Sequence, residues 1–489
     1  MCTYKRAIAV FLILIAAPLM AALAVFNGVS YQHAFGLALF AQVVLLWVSE
    51  LIPLAVTSLF IPCLIVLYGL ESAKEAFKPF GSPIIFLFIG AFLLARAMHK
   101  HSWDKRMAYL ILLSPLTRSS ITGVALVISL IAFALSMWVT NTATCAMLCP
   151  LALGLIDCLK EEFEDEQRVA GVKVFILLLV AYSCSIGGIA TPVGTPPNLI
   201  TLGLLEQHNI HISFTGWVMM ALPVAVSMYL LTFFYLRTKY AIGQTDRINI
   251  SNFQEHLRKR LSALGPLKSS ELQVAAAFAL AVLLWVVPDL IGIMLPGSDL
   301  AASLKSHLAA AVVALIAAGI LFCLPVGGER MNLEWEDARY VDWGTVLLFG
   351  GGLSLGAMLK DTGLAALLGE FSFGHVSANP LLLLLAACVI GVFVTELVSN
   401  TATASVLVVV LLGSAAGIDQ PLMAAVLALC LGTSYAFMFP VATPPNAIVF
   451  GTGEIRLKDM LKTGFVINVV GIILLIVFFY LLGIHRLAV

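Results

Sequence analysis

The sequence predicts an all-α polytopic membrane protein of about eleven transmembrane helices, with two re-entrant helical hairpins set in an inverted repeat. Three observations predict it. Of the 489 residues, 61% are hydrophobic and 11% charged, against about 45–50% and about 25% in soluble domains. The Lys and Arg residues sort to one side of the predicted spans. Two polar phrases also recur, in the same order, inside apolar sequence. Val139-Thr140-Asn141-Thr142-Ala143-Thr144 is followed by Gly194-Thr195-Pro196-Pro197-Asn198, and Val398-Ser399-Asn400-Thr401-Ala402-Thr403 by Ala442-Thr443-Pro444-Pro445-Asn446.

The first span covers about Ala7 to Phe26. Lys5-Arg6 before it and small residues near its end imitate a signal peptide, but the apolar run continues and further spans follow, so it reads as an uncleaved first helix. His33–Val48 and Ile52–Leu70 are the second and third spans. Between them lies Ser49-Glu50-Leu51-Ile52-Pro53-Leu54, where Pro53 marks a helix start and Glu50 reads as interfacial. Pro83–Met98 spans next and ends in His99-Lys100-His101 and Asp104-Lys105-Arg106. Met107–Leu116 is too short to cross and reads as lying along the interface.

Ser120 to Leu159 is apolar on both sides of Thr140-Asn141-Thr142, with charge at both ends, Arg118 and Lys160 to Arg168. Two spanning helices with a turn at the motif would put those charges on one side, and so would a re-entrant hairpin. In either case the polar tip must lie in protein or beside water, since bare backbone in lipid is very costly. Val172–Ile186 is interrupted by Gly187-Gly188 and Pro196-Pro197 and resumes to Leu205, a broken helix. Trp217–Leu236 spans. Arg237 to Ser270 is a polar loop, in which Phe253, Leu257, Leu261 and Leu264 give Phe253–Leu264 the spacing of a surface helix.

The second half repeats the plan. Leu272–Met294 and Leu308–Leu324 span, and Arg330–Asp342 is a polar loop. Gly-rich Trp343–Leu359 parallels Phe86–Met98. Pro380–Leu412 carries Ser399-Asn400-Thr401 at its middle, Leu422–Phe439 breaks at Thr443-Pro444-Pro445-Asn446, and Val466–Gly483 is the last span. With the N-terminus inside and each hairpin entering and leaving on one side, only Lys74, Lys78, Lys305, Lys360 and Arg486 of the 27 Lys and Arg fall outside. The first hairpin then opens from the cytoplasm, the second from outside, and the C-terminus lies outside. Inverted repeats of this kind are the architecture of many secondary transporters.

Other classes find little support. The formal net charge is zero, so no global basic field suggests nucleic acid. The nine Cys include no Cys-x-x-Cys pair and read as small buried hydrophobes, and no His/Cys/Glu cluster has zinc spacing. There is no phosphate loop and no nucleophile–base pair, so neither ATP-driven transport nor an enzyme is indicated.

A hairpin tip or broken helix places helix ends at mid-membrane. Helix N-termini offer unpaired amides and a positive dipole end that suit anions, and C-terminal carbonyls suit a small hard cation such as sodium. The four phrases contain no Arg or Lys. An anion held there needs neutralising from elsewhere, and co-bound sodium is the obvious source. A lone Ser-Asn-Thr is ordinarily a cap or an interhelical hydrogen bond, but joint recurrence in order points to function. Glu396 has two readings, a carboxylate satisfied by helix amides or a proton carrier. Gly350-Gly351-Gly352 reads as close helix packing rather than a ligand loop.

At these residues the sequence resembles the divalent anion:sodium symporter family, the dicarboxylate, citrate and sulfate transporters. The resemblance covers nearly the whole chain and rests on Ser49–Leu54, Ser136-Met137-Trp138-Val139-Thr140-Asn141-Thr142, both Thr-Pro-Pro-Asn phrases and Thr395-Glu396-Leu397-Val398-Ser399-Asn400-Thr401. It implies a homodimer in which a transport domain moves past a scaffold like an elevator. It assigns residues 1–116 and 270–378 to the scaffold, 117–236 and 379–489 to the two transport halves, and 237–269 to a cytoplasmic loop. Asn141, Thr142, Thr195, Ser399, Asn400, Thr401, Thr443 and Pro444 would bind substrate. Ser136, Thr140, Asn141 and Gly194 would form one sodium site, and Thr395, Val398, Asn400 and Ala442 a second, several of them through backbone carbonyls. The chain departs from the family at Thr140, which usually is Ser.

The expected function is sodium-coupled symport of a C4-dicarboxylate such as succinate, malate or fumarate across the cytoplasmic (inner) membrane. Sodium is the coupling ion, and no other cofactor and no nucleic-acid partner is expected. Sodium-independent dicarboxylate exchange, citrate or sulfate symport, and an anion channel or sensor remain alternatives.

Overall fold

The computed structural model describes residues 3–115, 117, 120–162, 166–240, 251–328, 330–414 and 419–487. Arg118, residues 163–165 of the charged flank and residues 241–250 of the polar loop lie outside them. Helices dominate. In the first half they are α1 (Thr3–Phe26), α2 (Tyr31–Ser49), α3 (Leu54–Leu67), α4 (Ala73–Phe77), α5 (Pro83–Lys100), α6 (Trp103–Leu112), α7 (Ile121–Ser136), α8 (Asn141–Glu162), α9 (Glu166–Gly188), α10 (Pro196–Glu206) and α11 (Phe214–Lys239). Then come α12 (Ser251–Ala263), α13 (Ser269–Met294), α14 (Asp299–His307), α15 (Ala310–Cys323), α16 (Trp343–Asp361) and α17 (Leu364–Ser377). The chain ends with α18 (Pro380–Thr395), α19 (Asn400–Leu412), α20 (Gln420–Gly432), α21 (Pro444–Gly451) and α22 (Leu457–Ile476). The all-α expectation needs one small amendment, a two-stranded antiparallel ribbon pairing Pro325–Gly327 with Arg330–Met331.

Among the described residues, eight helices are long and apolar enough to cross a membrane, and α14 with α15, bent by 58°, raises this to nine. α3, α7, α18, α19 and α20 are apolar but shorter. The shortness of α7, α18 and α19 has a local cause, since each pair α7–α8 and α18–α19 turns at its polar phrase. Small polar residues set many helix starts: Ser30, Ser120, Ser213, Asn379 and Asp419 each accept an amide hydrogen from the first turn of the helix they precede. Pro53, Pro196 and Pro444 do the same work by geometry, lying where the missing N–H has no helical partner to lose.

The glycine run of α16 is helix packing. A Cβ on Gly351 would lie 2.6 Å from Ser58 of α3, and one on Gly350 2.2 Å from the Phe80 ring. On the other side of the same helix, a Cβ on Gly352 would lie 2.9 Å from Ser405 of α19 and one on Gly356 2.6 Å from Leu204 of α10. α16 is therefore a central post, approached closely from two directions because it lacks side chains there. The helix expected at Phe253–Leu264 is α12. Its apolar face packs on protein, with Phe253 and Leu257 buried and α6 and α8 as neighbours. Nearby, the buried Arg106 guanidinium bonds both oxygens of buried Glu271 and the Gly265 carbonyl, tying α6 to the start of α13.

Two sets of contacts position the site. α2, α3, α5, α13, α15 and α16 pack among themselves, and α7–α11 pack with α18–α22. The second set holds all four polar phrases.

Candidate functional site

Four helices begin at one place. α8 starts at Asn141, α10 at Pro196, α19 at Asn400 and α21 at Pro444. All four starts line a cavity of about 580 Å³. The chain breaks just before each start, so each helix turns its positive end and free amides toward the cavity.

The tips are built alike. Ser136 Oγ donates to Asn141 Oδ1 at 2.5 Å, and Thr395 Oγ1 donates to Asn400 Oδ1 at 2.6 Å. The breaks are alike too. The buried Asn198 amide donates to the carbonyls of Gly188 (3.2 Å), Ile189 (3.4 Å) and Thr191 (2.7 Å). Asn446 donates to Ala436 (2.9 Å) and Phe439 (3.0 Å). Each Asn gathers the carbonyls that the Pro-Pro break leaves without helical donors. The halves are then joined across the middle: Tyr182 OH donates to the Phe437 carbonyl (2.8 Å), Cys430 Sγ to Pro197 O (3.4 Å) and Cys145 Sγ to Pro445 O (3.6 Å).

Of the residues singled out in the sequence, Thr140, Asn141, Thr142, Gly194, Thr195, Val398, Ser399, Asn400, Thr401, Ala442, Thr443 and Pro444 line the cavity. Ser136 and Thr395 do not; both are buried behind the tips, against their Asn partners. Glu396 is 2% exposed. Its carboxylate accepts from the amides of Phe437 (2.7 Å), Met438 (2.8 Å) and Phe439 (3.2 Å) and from Asn468 Nδ2 (2.6 Å). That is the satisfied carboxylate, and all its donors are fixed.

The oxygen groupings suit sodium. A Cβ on Gly188 would lie 2.5 Å from Asn141 Oδ1, and one on Gly194 would lie 2.4 Å from the Gly188 carbonyl oxygen. Ser136, Asn141, Gly188 and Gly194 thus crowd round one spot that only glycine backbone leaves open. In the second half Thr395 Oγ1 reaches both Asn400 Oδ1 and the Thr433 carbonyl (2.7 Å). Hydroxyl, amide and carbonyl oxygens without a carboxylate are the donor set of a small hard monovalent cation. Among the described residues no group of three His, Cys, Asp or Glu is placed to hold a metal.

Sequence reasoning gave no ligand role to Gly188, noted only as part of the helix break, or to Thr433, which lies outside the repeated phrases, and gave Asn198 and Asn446 no task although they recur in both halves. It also missed the rest of the cavity lining, which includes Ser49, Glu50 and Leu54, Phe88 and Phe92 of α5, and Asp342 and Thr345. Glu50 stood in a noted motif; nothing local marked Asp342.

The family profile for the sodium:sulfate symporter transmembrane region matches residues 4–485. The chain belongs to this family. Relatives extend along almost its whole length. An uncharacterized transporter of Haemophilus influenzae is 34% identical over 447 residues, 90% of each chain. A sodium-dependent dicarboxylate transporter, SdcS, of Staphylococcus saprophyticus is 32% identical over 470 residues, 93% of this chain and 87% of the relative. Its Staphylococcus aureus counterpart is 32% identical over 459 residues, 92% and 86%. Among solved structures, Neisseria gonorrhoeae MtrF, described as illuminating a class of antimetabolite efflux pumps, superposes with a TM-score of 0.54 over 84% of this chain and 83% of its own at 13% identity, a likeness of fold alone. The protein is thus an integral membrane transporter of this family, not an enzyme.

Proposed function

We propose that this protein carries a C4-dicarboxylate such as succinate, malate or fumarate across the cytoplasmic membrane in symport with sodium. One observation carries the reading: two near-identical tips and two near-identical breaks face one cavity, with four helix N-termini and, among the described residues, no cationic side chain in its wall. A ligand with two anionic ends matches two polar tips. Asn141, Thr142 and Thr195 would hold one carboxylate, and Ser399, Asn400, Thr401, Thr443 and Pro444 the other, by side-chain and amide donation. Sodium, as co-substrate, would sit behind each tip, one ion by Ser136, Thr140, Asn141, Gly188 and Gly194, the other by Thr395, Val398, Asn400, Thr433 and Ala442. Each ion would draw an Asn oxygen inward and leave that Asn's N–H₂ for the substrate. The names of the staphylococcal relatives agree with this substrate and ion.

On this proposal residues 117–236 and 379–489 form an inverted repeat that moves as one transport domain against a scaffold of 1–116 and 270–378, in a homodimer. The charge rule puts the Glu50 end of α2 and the Asp342 end of α16 in the cytoplasm. A cavity bounded by both residues is then the inward-facing state.

The test is uptake of labelled succinate into proteoliposomes with and without a sodium gradient. Sodium-driven accumulation is expected. Uptake that needs only internal dicarboxylate would replace symport by exchange. Saturable sulfate or citrate uptake without dicarboxylate competition would overturn the substrate, and currents far above transporter turnover would overturn the carrier mechanism.

A further inference from the structure

We infer that Glu50 and Asp342 are specificity-determining residues of the cavity: their charges weaken the hold on the anion and strengthen the hold on sodium, so that the anion is kept only while sodium is present. The inference rests on the sodium–anion reading above and deepens it. Among the described residues, Glu50 and Asp342 are the only ionisable ones lining the cavity, and both are carboxylates outside the four phrases. Both residues are exposed, and neither has a cationic partner within ion-pair distance among the described residues. A cavity that receives an anion but carries two negative wall charges works against its own ligand unless cations enter with it. The wall charges repel the substrate and attract sodium across the cavity. They act through the field, since neither carboxylate is among the sodium-type oxygens grouped at the tips.

The local structure keeps both charges in place. Glu50 ends α2 in the left-handed region, with φ 47° and ψ 29°, a conformation Gly or Asn adopts at lower cost. A backbone held there for a Glu fits selection of its side chain rather than of the turn. Arg6 fixes this corner by donating to the carbonyls of Glu50 (3.0 Å) and Leu51; Arg6 is not among the cavity-lining residues. Asp342 caps α16, accepting from the Thr345 amide (3.1 Å) and hydroxyl (2.6 Å). Asn retains such a cap, so the charge can be removed without removing the helix start.

The experiment is equilibrium binding of labelled succinate to the purified full-length protein, titrated with succinate at saturating sodium and with sodium at fixed succinate, for wild type, Glu50→Gln, Asp342→Asn and Glu50→Lys. Choline replaces sodium, at low and at physiological ionic strength. Each neutral variant is expected to tighten succinate by about threefold at low ionic strength, the size of the field of one charge about 10 Å from a dianion in water, and to lose most of that at physiological salt. The same variants should need more sodium for half-saturation, and Glu50→Lys should show both shifts enlarged. Opposite signs are the signature, because a merely damaged cavity weakens both ligands together. Affinities that move in the same direction, or stay put in all three variants, overturn the inference. Wild-type protein that binds sulfate and not succinate overturns the substrate assignment instead, and the same pair of shifts is then read with sulfate.

Discussion

At the first hairpin tip the Thr140 hydroxyl accepts the Ala143 amide hydrogen at 3.3 Å, so it caps α8. Ser399, at the same place in the second tip, makes no such bond to α19. The surroundings differ more. Met137 follows Ser136, and its carbonyl takes the Thr191 hydroxyl at 2.5 Å. Glu396 follows Thr395, and its carboxylate takes three consecutive amides of the second break. The first break is short, from the end of α9 at Gly188 to Pro196, whereas the second runs from Gly432 to Pro444. Aligned on the Pro-Pro pairs, α20 stops one turn earlier than α9. A buried carboxylate can satisfy amides that a methionine cannot, so the second break unwinds further without leaving donors unpaired. Repeated motifs therefore preserve the hydroxyl–Asn pairs at the tips, while the scaffolding beneath each tip differs.

That contrast can be broken or sharpened by substitution. The largest effects belong to the positions that match. Asn141→Ala and Asn400→Ala should each lower sodium-driven succinate uptake by about 100-fold or more, with an unchanged elution profile and helix content; activity retained by one of them would show that the two tips do not share the work. Next comes the pair that differs. Glu396→Gln should raise the sodium concentration for half-maximal uptake by about tenfold, and should cost about 2 kcal/mol of stability, the scale of hydrogen bonds to a charged acceptor. Met137→Leu should stay within about twofold of wild type in the same uptake and thermal-melting assays. Equal effects would mean the second break does not depend on its carboxylate. The smallest effect is expected at Thr140→Ser. It removes a methyl and keeps the cap, so sodium dependence should shift by less than about threefold. Thr140→Ala should also lose the cap, worth about 1 kcal/mol, which a thermal melt would register.

Much of the fold was legible in the chain. The hydrophobic runs gave the helices, the Pro-Pro pairs their breaks and Pro53 the start of one span, because these signals act over a few residues. The grouping of the site was legible for an unusual reason. Four phrases written in two ordered pairs announced that distant segments share a task; of the fourteen residues that the family resemblance then implied, twelve line the cavity while Ser136 and Thr395 are buried against their Asn partners. The surface helix was legible as a helix only. The sequence period shows that a face is apolar, not whether lipid or the ends of α6 and α8 will cover it.

The sequence by itself determined the membrane class, the hairpins and breaks, and the polar atoms offered at each tip, since these follow from local composition, proline geometry and repetition. Only the tertiary structure decided what those atoms meet. It brought Gly188 and Thr433 into the oxygen clusters, gave the Glu396 carboxylate to the amides of the second break, and put Glu50 and Asp342 in the same cavity lining as the tips. Such partners lie tens to hundreds of residues apart and are selected by packing, and packing leaves no periodic mark along the chain.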